Sequence, residues 1–319
     1  LVTRNMQKVR PGRVAYAVWC DDEGQVIDDG TIFHLREGEN RICSQERHMS
    51  WVQAAAIGLD VTIVDETDEF CALELQGPTS FSVLDAMGLD GLGELRPFGL
   101  ATFDFADSEL MVSRTGFTGD LGYELWTTPD KAIELWDALF AAGEIFGIRA
   151  MGTDALERAR IEAGFIQAYV DFLPADATVR SGRSRSPLEL GLEWLVDFDK
   201  SNFNGRRALV EEKERGSTWR LVKLDIEGNK EAHHSYIFAN RRGGRNVGFV
   251  TSAAWSPVCK QNIAIGTVQT PHGNVGDTLF VEVYYQREMH WSRVMAEAKV
   301  VDKPFWDPPR KRVTPPGPY

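Results

Sequence analysis

The chain has 319 residues, 43% of them hydrophobic and 26% charged, with a net charge of −12. That balance is globular rather than disordered, leaves room for two or three domains, and argues by its sign against nucleic acid and anionic membranes as partners. No apolar run approaches the ~20 residues needed to span a bilayer, and the opening LVTRNMQKVRPG lacks the apolar segment of a signal peptide, so the expected location is cytoplasmic.

Leu1 stands where an initiator Met is normally found, so the sequence is expected to begin inside a larger protein. The stretch RVAYAVWCDDEGQVIDDGTIFHL reads as a hairpin: Tyr16 to Trp19 is apolar and aromatic, Asp21 to Gly24 is a turn, and Val26 to Phe33 returns. SQERHMSWVQAAAIG predicts a helix capped by Ser44, with Met49, Val52 and Ala56 at helical spacing and Gly58 as its end. DVTIVDETDEFCALELQG predicts two short strands around an acidic turn. GPTSFSVLDAMG predicts a short helix with Pro78 near its first turn. FDFADSELMVSRTGF predicts another hairpin, which runs into SRTGFTGDLGYELW. TTPDKAIELWDALFAAG predicts an amphipathic helix with Thr128 as cap and Pro129 as first residue. Ala132, Leu135, Trp136, Leu139 and Phe140 fall on one face of it. From about Ser217 the pattern changes to short strands and turns, which predicts a small all-β domain, barrel or sandwich. The tail DPPRKRVTPPGPY is Pro-rich and expected on the surface. Short hairpins with segregated helices predict an α+β fold, not a doubly wound sheet.

No nucleophile elbow, phosphate loop, zinc-protease helix or dinucleotide fingerprint is present. Cys20, Cys43, Cys71 and Cys259 have no metal-ligand spacing and read as reduced thiols. The pair His233-His234 lies in a polar loop, and no metal is expected. Two carboxylate positions stand out instead. Asp28-Asp29 lies between Val26-Ile27 and Ile32-Phe33, and Glu124 lies between Tyr123 and Leu125. A carboxylate flanked by bulky apolar residues on a strand is costly unless it has partners or a ligand, although a solvent-facing position on a half-buried strand accounts for either one equally well.

The segments GQVIDDGTIF, LELQGPTS, SRTGFTGDLGYELW, RIEAGF, SPLELGLEWLVDFDKSNFNGRRAL, VGFVTSAAWSP and NIAIGTV, taken in this order, resemble the aminomethyltransferase family. That family comprises the glycine cleavage T-protein and tetrahydrofolate-dependent relatives such as dimethylsulfoniopropionate demethylase. The resemblance runs from about Leu1 to Asp307. It implies a ring of three subdomains around a central folate cavity. The first is discontinuous (1–45 and 145–215), the second spans 46–144, and the third is a β-barrel-like domain with the tail (216–319). It also implies that the N-terminal part of the first subdomain is missing from this sequence.

The resemblance assigns roles residue by residue. Glu124 is the carboxylate that recognises the pterin ring, a geometry in which one carboxylate accepts two parallel N–H bonds. The motif's glycines would let the turn bring this strand close to the ligand. Asp29 is the catalytic carboxylate near the reacting folate nitrogen. Tyr16 is placed in the pocket, with core packing as the alternative, and Tyr123 and Arg160 are placed with it at the cofactor. Asp171, Trp255 and Trp306 are candidates for the donor side, with packing again open for the tryptophans. Tetrahydrofolate is the implied cofactor, and alignment of its N5 with the donor carbon is the main catalytic task.

The chain departs from the T-protein pattern. Leu156 and Glu157 stand where an Arg-Asp pair is usual, and AYVDF keeps only Asp171 of the region that follows. A charge of −12 opposes an acidic lipoylated carrier protein, which is therefore disfavoured. The expectation is a tetrahydrofolate-dependent one-carbon transferase that demethylates a small methyl donor: an amine, sulfonium or methoxy compound. The T-protein itself, the folate half of a flavin-linked demethylating oxidase and a non-catalytic folate-binding protein remain as alternatives.

Overall fold

The computed structural model describes residues 1–180 and 182–314. The last five residues of the Pro-rich tail, 315–319, on which part of the surface expectation falls, lie outside the described residues, and residues 312–314 before them are exposed. Helix and sheet are segregated rather than alternating, and the strands form two open antiparallel sheets and one closed barrel.

The first sheet is β1 (Arg13–Cys20), β2 (Val26–Arg36) and β3 (Glu39–Ser44), in sequence order. The turn between β1 and β2 is held by Asp21, whose Oδ1 accepts the N–H groups of Glu23 at 3.0 Å and Gln25 at 2.8 Å. Strand alternation sends Ala17, Trp19 and Ile32 to one face and Val18 and Cys20 to the other. The second face packs against residues from far along the chain: Ile161 of α4 (Thr153–Ala163), Phe172, Leu190, and Leu209 of α5 (Arg206–Arg215).

The second sheet contains β4 (Cys71–Gln76), β5 (Leu100–Phe105), β6 (Ser108–Ser113) and β7 (Gly122–Thr127), in the order β4-β7-β6-β5. One face is covered by α2 (Ser80–Ala86) and α3 (Ala132–Gly143), with Leu84, Leu135 and Leu139 packed on Leu110, Val112, Tyr123 and Leu125. The two sheets are stitched by backbone bonds, Val14 N–H to Phe98 O at 2.9 Å and Leu100 N–H to Gly12 O at 3.0 Å.

The third unit is a barrel of β8 (Trp219–Ile226), β9 (Tyr236–Phe238), β10 (Asn246–Ser256), β11 (Gln261–Gln269), β12 (Thr278–Arg287) and β13 (His290–Val301), closed in the order β10-β11-β8-β13-β12-β9. Closure removes the exposed strand edges of an open sheet. Nearly every residue of β11 is buried, because one face fills the barrel and the other packs on α4.

Several local expectations are corrected. The helix α1 (Met49–Ala55) begins after His48, and Ser44 is instead the last residue of β3, its hydroxyl donating to Glu46 O. Residues 60–66 form no strand: Val61 and Val64 are exposed and have no apolar face to rest on. On α3 the buried stripe is Leu135 and Leu139, while Trp136 turns outward and rests against Phe140 with ring centroids 4.7 Å apart. The three-residue β9 was too short to carry a periodic signal. Among the described residues no helix is long and apolar enough to cross a membrane.

The tie between α4 and the barrel is built around a buried ion pair that bonds to hydroxyls of β10. Arg160 and Asp171 have no exposed side-chain surface and pair at 2.7 Å. Arg160 also donates to Ser252 Oγ at 2.7 Å and to both oxygens of Glu157, while Asp171 accepts from Thr251, from Ser252 at 2.7 Å and from Gln167 N–H at 3.0 Å. Removing one partner strands the other charge in a dry interior. Asp171→Ala is therefore expected to lower unfolding free energy by about 3–5 kcal/mol. Urea titration checks this, and a loss no larger than that of an average surface substitution would show that water reaches the pair.

Candidate functional site

Glu124 and Asp29 sit on different sheets. On β2, Asp29 is paired across the strands with Val18 and Asp28 with Trp19, so the two carboxylates leave on opposite faces. Asp29 is partly buried on the face that carries Tyr16, and the Tyr16 hydroxyl donates a short hydrogen bond to its Oδ2. Asp28 points the other way and is 1% exposed. Its Oδ2 lies 2.9 Å from His48 Nε2, and its Oδ1 accepts the Asp29 N–H at 2.9 Å. Burial pushes the Asp29 carboxyl up to about 7, with the charges of Asp28 and Asp171 adding to the rise and the Tyr16 hydroxyl opposing it. Burial first, then Asp29, raises the Tyr16 phenol well above its ordinary value.

Glu124 lies in the middle strand pair of the second sheet, opposite Glu74 on β4 and Ser113 on β6. It is on the face away from α2 and α3, because its neighbours Tyr123 and Leu125 take the core face. Burial pushes this carboxyl up to about 7 as well, Glu74 adds to the rise, and the hydroxyls of Thr115 and Ser113 oppose it. The cross-strand row Tyr16–Thr31–Cys43 runs over the first sheet on the Asp29 face. Burial pushes the Cys43 thiol up to about 12, and the charge of Glu124 contributes. Phe33, on the Asp29 face of the first sheet, meets Trp126, on the Glu124 face of the second, edge to face with ring centroids 5.3 Å apart, so the faces that carry the two carboxylates are turned toward each other.

Sequence reasoning missed Trp194. The residue is 65% exposed, its ring lies 6.1 Å from that of Tyr16, and it lines a cavity of about 520 Å³ with Arg4, Lys8, Phe198 and Lys213. The segment SPLELGLEWLV contains it, but a single Trp amid leucines carries no periodic mark. Exposure of a large aromatic beside a buried phenol is visible only in three dimensions.

Other expected site residues lie elsewhere. Tyr123 is fully buried among the leucines under α2 and α3, since alternation cannot send both Tyr123 and Glu124 to one face. Arg160 is not at a ligand surface: it has no exposed area, and its partners are Glu157, Phe165 O, Asp171 and Ser252. Asp171 is equally enclosed and touches the site only through its charge on Asp29. Trp255 is at the barrel surface, its N–H donating to Glu231 at 2.9 Å. Trp306 packs on the turn before β7, its indole N–H 3.4 Å from Asp120 Oδ2.

The glycines of SRTGFTGDLGYELW serve packing more than ligand approach. A Cβ at Gly116 or at Gly122 would meet the Gln76 carboxamide at 2.1 Å, and one at Gly119, where φ is +74°, would meet the Ala163 Cβ at 2.4 Å.

Residues 1–200 match the GCVT N-terminal domain and residues 220–307 match the glycine cleavage T-protein C-terminal barrel domain. The chain is 32% identical to an aminomethyltransferase of Halothermothrix orenii over 287 residues, covering 89% of this chain and 77% of that protein. It is 34% identical to a trimethylamine-oxide aldolase of Ruegeria pomeroyi, covering 98% of this chain but 39% of that protein. The crystal structure of glycine cleavage system aminomethyltransferase T from Bartonella henselae superposes with a TM-score of 0.80 at 22% identity, covering 96% of this chain and 79% of that one, which supports the fold.

A carboxyl whose folded pKa lies above its ordinary value holds its proton longer in the native state, so it costs stability as pH rises through that interval. For Asp29 the interval runs from 3.8 to about 7. Asp29→Asn is expected to be more stable than the parent above pH 7, by on the order of 1–2 kcal/mol once partial exposure is allowed for. The gap should close as pH falls toward 4. Thermal unfolding of both chains across this range checks the sign; a gap that does not change with pH removes the assignment.

Proposed function

The chain belongs to the glycine cleavage T-protein (aminomethyltransferase) family, and from that premise we propose that it is a tetrahydrofolate-dependent one-carbon transferase that demethylates a small donor: an amine, sulfonium or methoxy compound. This reading is supported above all by Asp29 and Glu124, two carboxylates on the faces of the two sheets that meet where Phe33 packs on Trp126. The residues present fit a pterin. Glu124 offers two acceptor oxygens in a partly buried setting, and Tyr16, bonded to Asp29, supplies a flat aromatic face with the Trp194 ring next to it.

Bound there, tetrahydrofolate supplies the nucleophilic nitrogen that accepts the carbon. Glu124 orients the ring by accepting its N–H groups, an interaction that favours the ionised carboxylate. Asp29, with its folded pKa near 7, is poised to hold or release a proton around neutral pH, where general acid–base exchange is most effective. Tyr16 fixes the Asp29 carboxylate by its hydrogen bond, which also keeps it ionised at lower pH than burial alone would allow. Two carboxylates facing one space favour a neutral or cationic donor over an anionic one.

The reading of a small free donor rests on the net charge of −12 and on the altered helix α4. Glu157, at a position where the family usually has the second member of an Arg-Asp pair, is occupied as a partner of buried Arg160. The likeness to a trimethylamine-oxide aldolase agrees with a methylated amine as donor. An aminomethyltransferase reading is the second candidate, favoured by the similarity to proteins so named in Halothermothrix orenii and Bacillus subtilis. The core that joins Val18 and Cys20 to Ile161 and Leu209 supports a discontinuous first domain, 1–45 with 145–215. On this division 46–144 is the second domain and 216–319 the third.

Mass spectrometry of folate products after incubation with tetrahydrofolate and a panel of methylated amines, sulfonium compounds and methoxy-aromatics tests the function. Absence of any one-carbon adduct with every donor, and with aminomethylated carrier protein, would refute it. Glu124→Gln places an N–H donor against the pterin donors and is expected to weaken folate binding by about 2–4 kcal/mol in a calorimetric titration. Asp29→Asn is expected to reduce kcat about 10²-fold with little change in folate affinity. Equal losses in kcat and affinity would assign Asp29 to binding rather than proton handling.

A further inference from the structure

We infer that residues 304–314 form a strap that positions Glu124 by holding the loop between β6 and β7, an inference that rests on the reading of Glu124 as the pterin-recognising carboxylate. The matched barrel domain ends at residue 307, and the chain continues across the second sheet. Arg114, the first residue after β6, is 4% exposed. Its guanidinium donates to Leu95 O at 2.9 Å and otherwise to the strap: Val313 O at 2.6 Å, Lys311 O at 3.2 Å and Thr314 Oγ1 at 3.0 Å. A buried guanidinium that draws most of its acceptors from one segment keeps that segment in place, since losing them leaves a charge without partners.

The far end of the loop is held by the same segment. Arg310 makes a forked pair with Asp120, Nε to Oδ1 at 2.6 Å with the second arm to Oδ2. Lys311 Nζ donates to Gly119 O at 3.1 Å. Trp306 anchors the strap to α4, its N–H donating to Glu162 O at 2.8 Å, while its indole N–H meets Asp120. Gly119 is pressed on Ala163, and Phe117 stacks on Phe165 with centroids 5.7 Å apart. The strap thus closes a triangle of barrel, α4 and loop.

Glu124 is the third residue of β7, the strand that begins as soon as this loop ends. Its cross-strand neighbour Ser113 is the last residue of β6, where the loop begins. Both strands that set the direction of the Glu124 carboxylate therefore end in the segment that the strap grips. A forked carboxylate–guanidinium pair is directional, so it fixes the angle of the loop as well as its distance. Residues Arg114, Asp120, Arg310 and Lys311 are positioning residues in this inference: they act on Glu124 through the loop they hold.

The test uses the full chain with the double change Arg310→Ala and Lys311→Ala. Amide hydrogen exchange at 115–124 is expected to rise about tenfold or more, with exchange in the barrel strands unchanged, and the dissociation constant for tetrahydrofolate is expected to rise about tenfold at constant kcat. Arg310→Lys, which keeps one ion pair, should recover part of the affinity. In a Glu124→Gln background the double change should weaken binding no further. Exchange at 115–124 that stays at the parent level overturns the strap, as does an affinity loss that adds fully to that of Glu124→Gln. A parent chain that does not bind tetrahydrofolate refutes the folate reading instead, and exchange at 115–124 then decides the strap on its own.

Discussion

The Arg160–Asp171 pair is the constraint on which the relative placement of the parts depends. It is dry on both sides and draws in Glu157 of α4, Gln167 of the following turn, and Thr251 and Ser252 of β10. Such a network is costly to dehydrate and gains stability only when every donor and acceptor is matched. Its value is in specificity: α4 has one axial and one rotational setting on the barrel in which all these bonds form. Once α4 is set, Glu162 meets Ser256, Ala163 meets Gly119 and Phe165 meets Phe117. The position of the β6–β7 loop, and with it Glu124, follows from the setting of α4 by this enclosed ion pair.

The two site carboxylates show the opposite use of burial. Among the described residues neither Asp29 nor Glu124 has a cationic side-chain partner, and both are pushed up to about 7, chiefly by loss of water. Hydroxyls oppose the shift in both cases: Tyr16 for Asp29, Thr115 and Ser113 for Glu124. A cation placed beside either would have stabilised the fold, and would have drawn the carboxylate back toward its ordinary acidity. Sites that handle protons or bind polar N–H groups near neutral pH commonly accept that destabilisation. Asp28, one residue from Asp29, is also raised by burial, but the Asp29 N–H and His48 oppose the rise, and it belongs to the back of the sheet.

Much of the architecture was legible. The hairpin β1–β2, the hairpin β5–β6, the short helix α2 and the change to an all-β region near residue 217 follow from period-two patterns, turn residues and caps, which are local. The resemblance of ordered motifs identified the family that the domain matches then established. Where local signals misled, tertiary packing was the reason. DVTIV has strand propensity but no partner edge. Trp136 has helical phase with Leu135 and Leu139, yet lies just beyond the arc that the sheet covers. Tyr123 is adjacent to Glu124 in sequence and on the opposite side of the sheet in space.

The sequence by itself determined most of the element types, the order of the motifs and the family, and it singled out two carboxylate positions as candidates, because residue type, spacing and alternation are properties of nearby residues. It also determined that one of Asp28 and Asp29 had to face inward, since neighbouring strand residues diverge. Which surfaces those residues meet was decided only by the tertiary structure. The exposure of Trp194 beside Tyr16, the enclosure of Arg160 and Asp171, the use of Gly116 and Gly122 to admit Gln76, and the grip of residues 304–314 on the loop before β7 all join segments many tens of residues apart. Desolvation and ion pairing depend on that assembled neighbourhood, so each carboxylate could be singled out in the sequence but its acidity could not.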